Sequence, residues 1–207
     1  MNLLGLLLFL AACGLLWSRN LQYSVWSLAG EGMLLSVMVW TTARITPVTL
    51  LVGLATLAIK GALIPGLIHR LMRTWPAAFR RDYPLPLWAY GVAVLVVLAV
   101  VHVIRLLAPT GVIQHTWVFF YALASIHVGL VMIVARRHLL SQLASLVAIE
   151  NALVVLAVSL AGSLPTFVEV GMLIDLGIAA ILMVWMSQRI HREWHTTDVI
   201  ALRRLKG

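Results

Sequence analysis

Apolar residues run in stretches of roughly twenty along most of the chain, separated by short spacers rich in Arg, Pro and Gly. A helix of about 20 residues, rising 1.5 Å per residue, crosses a hydrocarbon layer of about 30 Å. Each stretch therefore predicts a membrane helix, and seven are expected. The first, Asn2 to Trp17, is short and ends at the polar turn Ser18-Arg19-Asn20. The second runs from Leu21 to about Thr42. The third starts at Thr46-Pro47, where proline suits a first helical turn, and reaches about Leu71. A loop from Arg73 to Leu87 holds Arg80, Arg81, Asp82 and three prolines. The fourth helix is expected over Trp88–Ala108, stopped by Pro109-Thr110-Gly111, and the fifth over Ile113–Ala135, closed by Arg136-Arg137-His138. The sixth covers Leu139–Ala161, broken by Gly162-Ser163-Leu164-Pro165. The seventh covers Thr166–Gln188, and a basic tail follows to Gly207. The predicted fold class is all-α, a polytopic membrane helix bundle.

Composition agrees with the pattern. With 62% hydrophobic and 11% charged residues and a mean hydropathy of +1.03, the chain has too little polar surface for a soluble domain. A net charge of +8 could suit nucleic acid, but the arginines sit in spacers between apolar runs, where they act as topology determinants. One side collects Arg19, Arg70, Arg73, Arg80, Arg81, Arg136, Arg137, Arg189, Arg192, Arg203, Arg204 and Lys206; the other has Arg44 and Arg105. The positive-inside bias predicts an external amino terminus and a cytoplasmic tail. The single cysteine, Cys13, excludes an internal disulfide or a self-contained iron–sulfur site. Leu10-Ala11-Ala12-Cys13 has the look of a lipoprotein processing site. No cationic region precedes it, however, and the apolar run continues past it, so a retained first helix is expected.

The chain also carries a faint internal echo. Shifted by 118 positions, Arg19-Asn20-Leu21 falls on Arg137-His138-Leu139, Leu28 on Leu146, Pro47 on Pro165 and Gly53 on Gly171. Helices one to three would then correspond to five to seven in the same orientation.

Candidate chemistry lies in the ionisable residues at membrane depth, which are costly there and mark function by default. Glu31 is twelve residues past Arg19, Glu150 thirteen past Arg137, and Lys60 thirteen past Pro47. Each is roughly 18–20 Å from a helix end. Asp175, ten past Pro165, reaches a similar depth from the other side. In a low-dielectric interior an acid and an amine come closer in proton affinity, so such a layer suits proton transfer. The plainer reading is a buried ion pair that fixes helix packing, but three acids with one lysine leave two acids uncompensated. Glu169, in the first turn of the seventh helix, can complement the helix dipole or stand at a channel entrance. Pro65, five residues after Lys60, should bend the third helix.

Two axial ligands of one haem must share a level. His102 and His127 differ in depth by about 10 Å, so no haem, and no other cofactor or metal, is expected. His127 can relay protons or simply pack. Most of the tryptophans, among them Trp17, Trp40, Trp88, Trp117 and Trp185, fall toward helix ends as interfacial anchors do.

The run Arg136-Arg137-His138-Leu139, then Ile149-Glu150-Asn151-Ala152-Leu153, then Phe167 through Asp175 resembles the hydrogenase-4 component E family. Thr197-Asp198 and Leu202 to Gly207 resemble that family's ending, and Leu57-Ala58-Ile59-Lys60-Gly61-Ala62-Leu63-Ile64-Pro65 its third-helix motif. Helices five to seven also resemble the three-helix K subunit of complex I, in which an Arg-Arg turn precedes a helix with a buried glutamate and the next helix holds a second. By that resemblance Glu150 matches the first and Asp175 stands near the second, with aspartate in place of glutamate.

The resemblance implies a four-helix region over 1–110, a K-subunit-like region over 111–190 and a basic cytoplasmic tail over 191–207. It implies a non-catalytic membrane-arm subunit of a group 4 nickel–iron hydrogenase or related complex I-like assembly. Redox chemistry would reside in a hydrogenase or dehydrogenase peripheral arm, and antiporter-like subunits would be its neighbours in the bilayer. Glu150, Asp175, Lys60, Glu31, Glu169 and His127 are the proton-relay candidates. Two other readings remain open: a purely structural scaffold in the same assembly, and a small independent membrane transporter.

Overall fold

A computed structural model describes residues 1–42, 46–74, 82–83, 85–107, 113, 115–161 and 166–194, without the side chains of 42, 74, 105, 107, 161, 166–169 and 194. Arg44, most of the loop after Thr74, the breaks expected at 109–111 and 162–165, and the tail from His195 lie outside the described residues. The described residues form α1 (Asn2–Trp17), α2 (Leu21–Thr42), α3 (Pro47–Thr56), a π-helical segment (Leu57–Leu63), α4 (Ile64–Thr74), α5 (Leu87–Leu107), α6 (Thr116–Ala135), α7 (Leu139–Ala161) and α8 (Thr166–Trp194).

Among the described residues five helical stretches are long and apolar enough to cross a membrane: Pro47–Arg73, Leu87–Ile104, Thr116–Ala135, Leu139–Leu160 and Val170–Glu193. Helix α1 is apolar but has 16 residues. Helix α2 has 22 residues, diluted by Gln22, three serines and Glu31, and falls short on hydropathy.

The expected third helix is continuous but not uniform. Thr46 accepts the Thr49 N–H at 3.1 Å and Pro47 follows it, the start that the sequence predicts. The helix then widens just before Pro65, and the Ile64 N–H reaches five residues back to the Ile59 carbonyl. Proline removes a donor at this point, and the helix absorbs the defect as a π turn in addition to any bend. Two boundaries also differ from expectation. Helix α6 begins at Thr116, and the N–H of His115, the residue before it, donates to the Ser159 carbonyl at 3.2 Å. Helix α8 continues beyond Gln188 to Trp194, carried by an Arg189–Glu193 pair at 2.9 Å, four residues apart.

The 118-residue echo has a physical counterpart at two turns. The Ser18 N–H donates to the Gly14 carbonyl at 3.0 Å, and the Arg136 N–H to the Met132 carbonyl at 2.8 Å. Asn20 Oδ1 accepts the Gln22 N–H at 3.1 Å, and His138 Nδ1 accepts the Leu140 N–H at 3.2 Å. All four pairs of positions correspond under the shift. Helix α1 packs on α6 and α2 on α7, so the two hairpins lie side by side.

Helix α7 is the centre of the bundle, 61% buried over its span, whereas α5 and α8 are edge helices, 22% and 28% buried. One core cluster gathers Leu15, Leu28, Ile64, Ile68, Leu140, Leu143 and Val147 among others. A second gathers Leu8, Leu35, Met38, Val118, Val155 and Val158. The polar site lies where α2, the π segment and α7 meet.

Candidate functional site

The π segment carries Lys60 into the bundle, where its side chain is 2% exposed. Its Nζ donates to Glu150 Oε2 on α7 at 2.5 Å. The next residue on α7, Asn151, is rotated by about 100° and faces α2. There its Nδ2 donates to Glu31 Oε2 at 3.1 Å. Glu31 and Asn151 are both fully buried, and Glu31 lies within electrostatic range of Lys60. Two adjacent residues of one helix thus connect two carboxyls and one ammonium contributed by three elements.

The packing that allows this is backbone on backbone. Helix α2 meets the π segment at Gly32, where a Cβ would stand 2.5 Å from the Lys60 carbonyl carbon and from the Gly61 nitrogen. Only glycine lets the helices approach so closely.

The charges in the cluster do not balance with every group ionised. Lys60 compensates Glu150, and Glu31 accepts a hydrogen bond from a neutral amide. Glu31 Oε1, Glu150 Oε1 and Asn151 Oδ1 are buried without a hydrogen-bond partner among the described residues. Buried acceptors left unsatisfied are costly, so these oxygens call for a proton or water. A cavity of about 10 Å³, close to the size of a single water site, lies between Lys60 and α8, lined by Leu35, Val39, Thr56, Lys60, Val154, Met172 and Leu173; Lys60 is the one member of the cluster in its lining.

The remaining candidates are placed as follows. Asp175 lies within electrostatic range of Glu150, but its side chain is exposed on the outer face of α8. The His127 ring nitrogen Nδ1 is 2.7 Å from the Leu123 carbonyl of its own helix, a local contact on α6. Glu169 is in the first turn of α8, and its side chain lies outside those described. Among the described residues no three His, Cys, Asp or Glu side chains converge as metal ligands.

Two features escape the sequence reading. Asn151 is visible only as the neighbour of Glu150, although an amide beside a buried acid is itself a signal. The other is Arg136, counted above as a topology charge but only 3% exposed. Its guanidinium donates to the carbonyls of Leu16, at 2.9 Å, Leu15, at 3.4 Å, and Ser18 at the end of α1. It also donates to the Tyr83 carbonyl at 3.3 Å and lies 3.7 Å from Asp82 Oδ2. Burial pushes the pKa of this guanidinium down, and Asp82 beside it pushes it back up. A cation at the carboxyl end of α1 complements the helix dipole and its unpaired carbonyls. Arg136 thereby ties the α6–α7 turn to the α1–α2 turn and to the loop before α5.

No family model matches the chain, and no solved structure matches it. Over 206 residues, 96% of this chain and 92% of the relative, it is 27% identical to an uncharacterized protein of Mycobacterium tuberculosis. Over 86 residues it is 36% identical to hydrogenase-4 component E of Escherichia coli K12 and of Shigella flexneri. That match takes in 42% of this chain and 40% of those proteins.

Proposed function

We propose that this chain is a membrane-arm subunit of a complex I-like hydrogenase or dehydrogenase assembly, in which Lys60, Glu150 and Glu31 form part of a proton path. The partial similarity to hydrogenase-4 component E supports the assembly, and the apolar helices support its place in the membrane. The single observation that carries the relay is the Lys60–Glu150 contact at 2.5 Å with a second buried acid, Glu31, joined to the same helix through Asn151. In the elementary step the Lys60 Nζ–H bond breaks and a Glu150 Oε2–H bond forms, leaving a neutral amine and a neutral carboxylic acid. Neither product is a bare charge in an apolar interior, which lowers the cost of the transfer. Glu31 is the next acid within reach, and the orphaned oxygens are where water joins the two. Redox chemistry belongs to partner subunits, and this chain contributes to coupling.

The topology proposed for this role has seven crossings, with the amino terminus outside and the tail in the cytoplasm. Helix α1, at about 24 Å, crosses where the bilayer thins around it.

Glu150→Gln in the assembled complex is the test. The variant should assemble in normal amounts while proton translocation and coupled turnover fall by about tenfold or more. Normal pumping per assembled complex would overturn the relay. The burial of the Lys60–Glu150 pair favours one competing reading, a scaffold in which the pair only fixes packing. In that case less complex is recovered and each complex works normally.

A further inference from the structure

We infer that the face of α8 carrying Asp175 is covered by a different membrane polypeptide, which presents a basic side chain at the depth of Asp175.

The buried side of α8 is a regular stripe of Leu173, Leu176, Ala180, Val184 and Ser187, and it packs on α7, α4 and α3. The opposite side is apolar and open: Ile178 is 54% and Leu182 53% exposed. Asp175 lies on this open side, one turn from Gly171 and from Ile178. Its level is set by its neighbours. Met172 and Leu173 line the same small cavity as Lys60 and Val154, and Asp175 lies within electrostatic range of Glu150. The carboxylate is therefore nine residues, about 14 Å, past the start of α8, level with the Lys60–Glu150 pair and exposed on the side turned away from the bundle. Hydrocarbon does not solvate such a group, and ionisable residues at this depth face protein or a polar cavity.

Among the described residues Asp175 has no ion-pair partner. Lys60 is directed inward and bonded to Glu150, and the other described Lys and Arg side chains lie in turns or in the last two turns of a helix. A second copy docked through the same face by a twofold axis would bring Asp175 toward Asp175, two like charges. Charge complementarity instead selects a spanning segment with Lys, Arg or His at this depth. At Gly171 an added Cβ would meet nothing within 4 Å, which leaves room for close approach of a second helix. By contrast α1, whose Leu3 and Leu10 are well exposed, has no charged residue and suits lipid. The inference rests on the proposal of a multisubunit assembly and says which surface of the chain joins it, and by what chemistry.

The experiment places a photoreactive benzophenone amino acid at Ile178 and, as the lipid-facing control, at Leu10. It uses the full chain in the membranes of its own organism, with crosslinked peptides mapped by mass spectrometry. The expected result is a discrete adduct from Ile178 to a spanning segment of another polypeptide that contains a basic residue. Its yield should exceed that from Leu10 by about tenfold. Asp175→Lys should lower that yield by a similar factor, Asp175→Glu should retain it, and an acid placed at the mapped basic residue should restore the Asp175→Lys adduct. Adducts confined to lipid, adducts to a second copy, a mapped segment without a basic residue, or a yield indifferent to Asp175→Lys would each overturn the inference. Because the readout is an adduct and not proton transfer, it can fail while the Glu150→Gln phenotype stands, and the reverse.

Discussion

Gly32 on α2 lies directly against the peptide group between Lys60 and Gly61: a methyl group at Gly32 would come within 2.7 Å of the Lys60 carbonyl oxygen. The obstacle is main chain in a widened helix and not the yielding tip of a side chain, so the added atom displaces the segment that aims Lys60 at Glu150. Alanine in place of a helical glycine gains about 1 kcal/mol in propensity, and overpacking costs about 1–3 kcal/mol. Here the second effect wins. Gly32→Ala should lower the unfolding midpoint of the purified protein in detergent, whereas Gly30→Ala, where nothing lies within 4 Å, should leave it unchanged or raise it. Equal responses at the two glycines would show that α2 and the π segment do not touch in this way.

The Lys60–Glu150 contact predicts a non-additive pair. Lys60→Met leaves a buried acid alone and Glu150→Gln a buried ammonium, and breaking a buried pair from one side costs about 3–5 kcal/mol. The double variant removes both charges and should be more stable than the sum of the singles implies, with a coupling of about 1–3 kcal/mol. Thermal unfolding of all four proteins measures this. If the double variant recovers assembly while proton translocation stays lost, packing and conduction are separable. If it recovers both, the pair only holds helices together.

The membrane helices were legible because a run of about twenty apolar residues has few other uses, and the turns at Ser18 and Arg136 showed as polar breaks. The depth of Lys60, Glu31 and Glu150 could likewise be counted from helix ends, and these three groups come together. Direction around the helix axis was not legible. Lipid and protein core are both apolar, so these helices carry almost no amphipathic stripe, and nothing in the sequence says that Asp175 looks outward while Glu31 looks inward. Register was half legible: Pro65 marks a defect but not its form as a π turn. Arg136 was hidden by ambiguity, since an arginine in a short turn between apolar helices can serve topology whether or not it also caps a helix.

That second role of Arg136 is testable by charge-preserving substitution. Arg136→Lys keeps the positive-inside count and so the topology, but a single ammonium cannot serve the α1 carbonyls, the Tyr83 carbonyl and Asp82 together. Arg136→Lys should destabilise the protein by about 1–3 kcal/mol, and Arg136→Ala by more, because it also leaves Asp82 buried without its cation. Unfolding midpoints in detergent check this. A lysine variant as stable as the parent would reduce Arg136 to a topology charge.

The proposed crossing count depends on the two shortest arguments in the chain, α1 with its 16 residues and α2 with its diluted apolar face. Cysteine labelling in a Cys13→Ser background decides both. If α1 and α2 each span, Asn2→Cys and Thr46→Cys react with a membrane-impermeant maleimide in intact cells, and Arg19→Cys and Arg137→Cys react only after permeabilisation. Asn2 and Arg19 labelled from the same side would mean that α1 lies along the interface, which reduces the count by one and frees the amino terminus from the outer face. Arg19 and Thr46 on one side would remove α2 as a crossing. Glu31 would then have to reach Asn151 from a helix that does not span, and its full burial beside the π segment argues against that arrangement. The alternating pattern is therefore expected, with Arg19 and Arg137, equivalent under the 118-residue shift, protected together.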